Sequence, residues 1–154
     1  YLEPTNIKTS SQQLRQNFIK DELISRINFI INQGHKLILV YPVPEMAFNV
    51  PRQLNSKFIK SRINFSKFSV PILSGSYDVY KKRNNPVFEI LDNVQNPNIY
   101  RVYPHKSFCN TIVKDRCVSN DEENIFYHDD DHLSLKGSEF VVNEIIKKIK
   151  NNSF

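Results

Sequence analysis

The chain has 154 residues, 40% of them hydrophobic, with 21 Lys and Arg against 16 Asp and Glu for a net charge of +5. That suffices for one ordinary globular domain with a real core, and it is too apolar for a disordered chain. No apolar run approaches the ~18 to 20 residues that span a bilayer, and Tyr1-Leu2-Glu3-Pro4 does not open a signal peptide, so any export signal or membrane anchor is expected outside these residues.

In chain order, residues 1–9 read as a loop, and Ser10 or Ser11 is placed to cap a long helix. Leu14, Phe18, Leu23, Ile24, Ile27, Ile30 and Ile31 recur at three- and four-residue spacing on its core face, and Gly34 stands where a helix takes a left-handed cap. The apolar run Lys36-Leu37-Ile38-Leu39-Val40-Tyr41 has no polar alternation, the pattern of a parallel strand covered on both faces; Pro42-Val43-Pro44-Glu45 stops it. The stretch from Met46 to Leu73 is irregular, with a turn at Asn49-Val50-Pro51 and a short helix from Arg52 to Lys60. From about Ser76 a helical stretch carries Tyr77, Tyr80, Val87, Phe88 and Leu91, and Pro86 is expected to kink it or start a new helix. Asn98-Ile99-Tyr100-Arg101-Val102-Tyr103 reads as a second strand ended by Pro104. Strand, helix, strand makes a right-handed crossover unit, so the sheet is expected to be parallel. The last helix, about Leu135 to Lys150, turns Phe140, Val141, Ile145, Ile146 and Ile149 inward. The basic clusters Lys81-Lys82-Arg83 and Lys147-Lys148-Ile149-Lys150 read as solvated helix faces and not as a nucleic-acid surface.

In open α/β sheets function gathers at the carboxyl ends of the strands, here Pro42 to Glu45, Pro104 to Ser107 and the loop before the last helix. That loop, Tyr127-His128-Asp129-Asp130-Asp131-His132-Leu133-Ser134, holds the densest chemistry. Asp129 and His132 are three apart, and a carboxylate so placed can hold an imidazole in one tautomer and stabilise the imidazolium formed when it takes a proton. A plainer reading makes the aspartates partners of the helix dipole, with Ser134 or Asp131 as cap and His132 solvated. A metal reading would use His128 and His132, four apart, with the aspartates as hard ligands, but the acidic run and Ser134 argue against the helical geometry it needs, and no second cluster of His or Cys adds ligands. A calcium loop fails because Ser134 stands at the sixth position in place of glycine. No cofactor is expected.

Cys109 and Cys117 are eight positions apart in a segment with little periodicity. Two separate buried thiols are one reading, and metal ligation fits the spacing poorly. A local disulfide is the preferred one and implies an oxidising, extracytoplasmic setting.

The order Leu37 to Glu45, then Asn49-Val50-Pro51, then Phe108-Cys109 with Cys117, then Ile125 to Ser134 with Gly137, resembles the C-terminal part of an SGNH domain. It is most similar to the SGNH domains fused to membrane acyltransferase-3 proteins, which O-acylate cell-surface polysaccharides. Asp129 and His132 match the family's Asp-x-x-His block, and the Pro-x-Pro-Glu strand end and the cysteine pair set this subgroup apart from ordinary SGNH esterases. The resemblance implies a three-layer α/β/α fold with a parallel, flavodoxin-like sheet, of which residues 1–154 would be a single C-terminal portion. It also implies a periplasmic domain of an inner-membrane protein, an acyl donor reaching it through the membrane acyltransferase domain, and a glycan acceptor.

The family's Gly-Asp-Ser block, which carries the nucleophilic serine, has no match here, so that serine is expected upstream of Tyr1. Ser74-Gly75-Ser76 has serines beside glycine without the nucleophile-elbow pattern. The implied chemistry is O-acyl transfer to a sugar hydroxyl, with Asp129 and His132 as the acid–base half. A carbohydrate O-acetylesterase and a non-catalytic glycan-binding module are the alternatives.

Overall fold

The computed structural model describes residues 12–61 and 70–152, so the expected helix cap at Ser10 or Ser11 lies outside the described residues. The described chain is mixed α/β. It divides into two compact units, residues 1–39 with 86–100 and residues 40–85 with 101–154.

In the first unit, helix α1 (Gln12–Asn32) ends at Gly34, whose φ of 85° and N–H to Ile31 O (2.9 Å) make the expected left-handed cap. Ile27 and Ile31, one turn apart, are buried with Leu91, Val94 and Ile99, whereas Leu14 and Ile30 are exposed, contrary to the expectation from spacing. The buried line of α1 is therefore a narrow one.

Strand β1 (Leu37–Val40) pairs with the later strand at Ile99–Val102, β3 below. Leu37 N–H donates to Asn98 O and Tyr41 N–H to Val102 O, advancing four residues on each chain, so the pair is parallel as expected. β1 is not covered on both faces: Leu37, Ile38 and Leu39 are half-buried and Val40 is exposed, because β3 is its one neighbour among the described residues.

Helix α2 (Val50–Ser61) lengthens the expected short helix. Asn49 caps it, taking Arg52 N–H on Oδ1 at 3.0 Å, and Pro51 sits in the first turn, where its missing N–H costs nothing. Strand β2 (Ser74–Ser76) leads into helix α3 (Tyr77–Asn93), which runs through Pro86 without a break; the boundary between the units falls at that residue. After β3 (Ile99–Val102) come the short helix α4 (His105–Phe108) and β4 (Arg116–Val118). β4 pairs antiparallel with β2, a pairing the sequence reading misses.

Cys109 and Cys117 are joined by a disulfide. Asn110 and Asp115 take positive φ in the loop it closes, a backbone region these two residue types tolerate best after glycine. In the second unit Phe108, Phe126, Tyr127 and Phe140 form an aromatic cluster, with Phe140 edge-on to Phe126 at 5.3 Å between centroids. Helix α5 (Leu135–Asn151) lays Val141 and half-buried Phe140 and Ile145 inward. Ile146 and Ile149, expected in the core, are exposed, since the covered stripe follows Gly137 and Val141. No helix among the described residues is long and apolar enough to cross a membrane.

Candidate active site

The acidic loop is a tight hairpin closed on itself. Tyr127 and Leu133 bridge antiparallel, and His128 N–H donates to His132 O at 2.7 Å. Ser134 then ends the loop and begins α5: its hydroxyl accepts Gly137 N–H (3.1 Å) and donates to Ile125 O (2.6 Å). Of the two caps left open by the sequence, Ser134 is the one used.

Two outside anchors fix the loop. Met46 N–H donates to Asp130 O (2.7 Å) and Val50 N–H to Asp129 O (3.0 Å), so the Pro-x-Pro-Glu and Asn-Val-Pro segments are brought onto the dyad. That strand-end segment is itself held by buried phenols, Tyr80 Oη to Pro42 O at 2.7 Å and Tyr127 Oη to Pro44 O at 2.5 Å. Burial pushes both phenols well above their ordinary range, so they stay neutral donors. Arg83 pairs with Glu45 at 2.7 Å on the same segment. The Pro104 to Ser107 segment lies beside it through the rings of Tyr80 and His105, 5.7 Å apart.

Inside the loop each oxygen of Asp129 has its own task. Oδ1 accepts the backbone N–H of His132 (2.8 Å) and of Asp131 (3.0 Å), which locks the carboxylate; Oδ2 faces His132 Nδ1 at 2.9 Å. Those backbone donors, His132 first and Asp131 next, hold the Asp129 carboxyl far below the usual carboxylate range. An ionised carboxylate on Nδ1 requires the hydrogen there, which leaves Nε2 as the nitrogen able to take a proton. The hydrogen bond that His132 Nδ1 donates to Asp129, then the charges of Asp129 and Asp131, raise His132 above its ordinary value of 6.5.

The sequence reading treats Asp130 and Asp131 alike, as a solvated or capping run. The structure separates them: Asp131 Oδ1 also stands 2.9 Å from His132 Nδ1. Asp129, Asp131 and His132 are the group among the described residues whose ligand-type atoms all lie within 4.8 Å of one another. Their contacts are a hydrogen bond and an ion pair, and an exposed acidic group alone does not define a cation site. His128 stands outside that group.

Ser74 is engaged elsewhere. Its hydroxyl accepts Arg116 Nε–H (3.1 Å) and its carbonyl takes a second Arg116 donor, while Ser76 Oγ accepts Val79 N–H at the start of α3. These are structural bonds of a β2–β4 pair and a helix cap.

A family model described as "SGNH domain (fused to AT3 domains)" matches residues 2–147. A solved structure, that of the periplasmic domain of a lipopolysaccharide acetyltransferase from Salmonella ser. Paratyphi A, aligns with a TM-score of 0.54 at 22% identity. The alignment covers 94% of this chain and 54% of that one, so the chain spans about half the length of that relative. At such identity the likeness is one of fold. No curated protein sequence matches the chain.

Proposed function

The chain belongs to the SGNH domains of the kind fused to AT3 domains, and from that premise we propose that it is the acid–base part of an O-acyltransferase acting on sugar hydroxyls of a cell-surface polysaccharide. The observation that carries this reading is the locked carboxylate–imidazole pair, Asp129 Oδ2 to His132 Nδ1 at 2.9 Å, in a loop anchored at Met46 and Val50, in the connection from parallel strand β1 into α2.

The serine comes from a segment outside these 154 residues, since no Gly-Asp-Ser occurs in the chain. That serine attacks the acyl donor while His132 Nε2 takes its proton; the acyl–serine ester forms, and the donor's leaving group departs with that proton from Nε2, which leaves the ring neutral again. In the second half the sugar hydroxyl attacks the ester, gives its proton to Nε2, and the serine leaves with a proton returned from His132. Asp129 orients the ring throughout and balances the imidazolium. The donor arrives through a membrane acyltransferase domain of the same protein, and the domain works on the outer face of the inner membrane. The disulfide supports an oxidising setting.

If water takes the place of the sugar, the same groups give an esterase, and the two are separated by how well the acceptor site excludes water. The test supplies the full-length protein with acyl donor and glycan and measures ester formed on sugar against free acid released. Ester on sugar as the main product is expected. Free acid released at the same rate with and without glycan would make the protein an esterase instead.

A further inference from the structure

We propose that Asp131 is a second positioning residue for His132, a carboxylate that braces the ring beside Asp129 and sets the pH at which the base works. This rests on the reading of His132 as the general base.

Three observations carry it. Asp131 Oδ1 and Asp129 Oδ2 both stand 2.9 Å from Nδ1, so the imidazole faces two carboxylates. Nδ1 carries one hydrogen, and it is hydrogen-bonded to Asp129, so Asp131 acts on the ring by charge, as an ion-pair partner. The place of Asp131 is also built in: its backbone N–H is pinned to Asp129 Oδ1, which fixes where its side chain leaves the loop.

The neighbouring groups do not cancel this charge. The charged groups acting on the ring among the described residues are Asp129, Asp131 and, last, Asp130; no cation of the 44–50 segment or of α5 contributes. Lys136 on α5 is paired with Glu139, and Arg83 with Glu45. Two carboxylates on one ring nitrogen favour the imidazolium more than one does. The base is therefore stronger, and it is lost to protonation at a higher pH than with Asp129 alone. Asp131 is half exposed, so its share of the effect is screened by salt, while the backbone-locked Asp129 keeps its orientation.

A second consequence concerns what happens without Asp129. With Asn at 129 the Asp131 carboxylate, 2.9 Å from Nδ1, is left to accept the Nδ1 hydrogen. Asp129→Asn then retains activity that depends on Asp131.

The test measures pH–rate profiles of acyl transfer by full-length protein carrying His132→Ala, Asp129→Asn, Asp130→Asn, Asp131→Asn and the 129/131 double change. The base must be neutral to work, so the acid limb follows the ring's raised pKa. Asp131→Asn is expected to move that limb to lower pH, by more than Asp130→Asn does and by less in high salt. The double variant is expected to fall about tenfold or more below Asp129→Asn alone. An acid limb unmoved by Asp131→Asn, or a double variant equal to Asp129→Asn, overturns the proposal while leaving His132 as base. Full activity in His132→Ala overturns both. A purely structural role for Asp131 would change rate at all pH values alike and leave the limb in place.

Discussion

Gly137 shows how closely single residues determine the site. A Cβ at this position would press into the backbone carbonyl of Phe126 and meet Leu133 Cδ2 at 3.1 Å. That same Phe126 carbonyl accepts Ser134 N–H at 2.9 Å, so the first turn of α5 and the exit of the acidic loop share one crowded point. Gly137→Ala must push the helix from the loop, at a cost of roughly 1–3 kcal/mol. Thermal unfolding is expected to show a lowered midpoint, with acyl transfer falling too, because Leu133 follows His132 directly. An unchanged midpoint would mean that the helix relaxes freely there. The glycine is visible in the sequence as part of the motif; the carbonyl that requires it becomes visible only once the hairpin is folded.

At the scale of elements, long periodic or apolar stretches were legible and short paired ones were not. α1, β1, β3 and α5 carry their own patterns, and the helical cap at Gly34 follows from residue type. β2 and β4 have three residues each and no period of their own; they exist through each other, through Arg116 on Ser74 and through the disulfide. Asn120 is a further support of this pair. Fully buried, it accepts Leu73 N–H on Oδ1 (2.8 Å) and donates through Nδ2 to Pro71 O and Asp121 O. Asn120→Ala leaves buried backbone groups unsatisfied and is expected to cost ~1–3 kcal/mol in urea unfolding. A loss below the error of that measurement would contradict the network. In the site, the Asp129–His132 pairing was readable from their spacing. Which of the other two aspartates approaches the ring was not, because that depends on Asp129 Oδ1 pinning the backbone at Asp131. Spacing makes the inward faces of α1 and α5 wider than they are, since it marks an apolar stripe and not how much of it other elements cover; Leu14, Ile30, Ile146 and Ile149 are exposed.

For the whole molecule, two features bear on the proposal that these residues complete their site with a segment from elsewhere in the protein. The chain spans about half of the solved relative it resembles in fold, and β1, an apolar strand by sequence, has one neighbour among the described residues and an exposed Val40. In the proposed mechanism every proton passes through one atom, Nε2 of His132. His132 is largely exposed, so its ring contributes little to the core and its removal should leave the fold intact. The direct measurement is single-turnover acyl transfer by full-length His132→Ala beside the unaltered protein, with circular dichroism of both. The account predicts matching spectra and a rate lower by about three orders of magnitude or more. A His132→Ala protein that is folded and transfers the acyl group at the unaltered rate would contradict it.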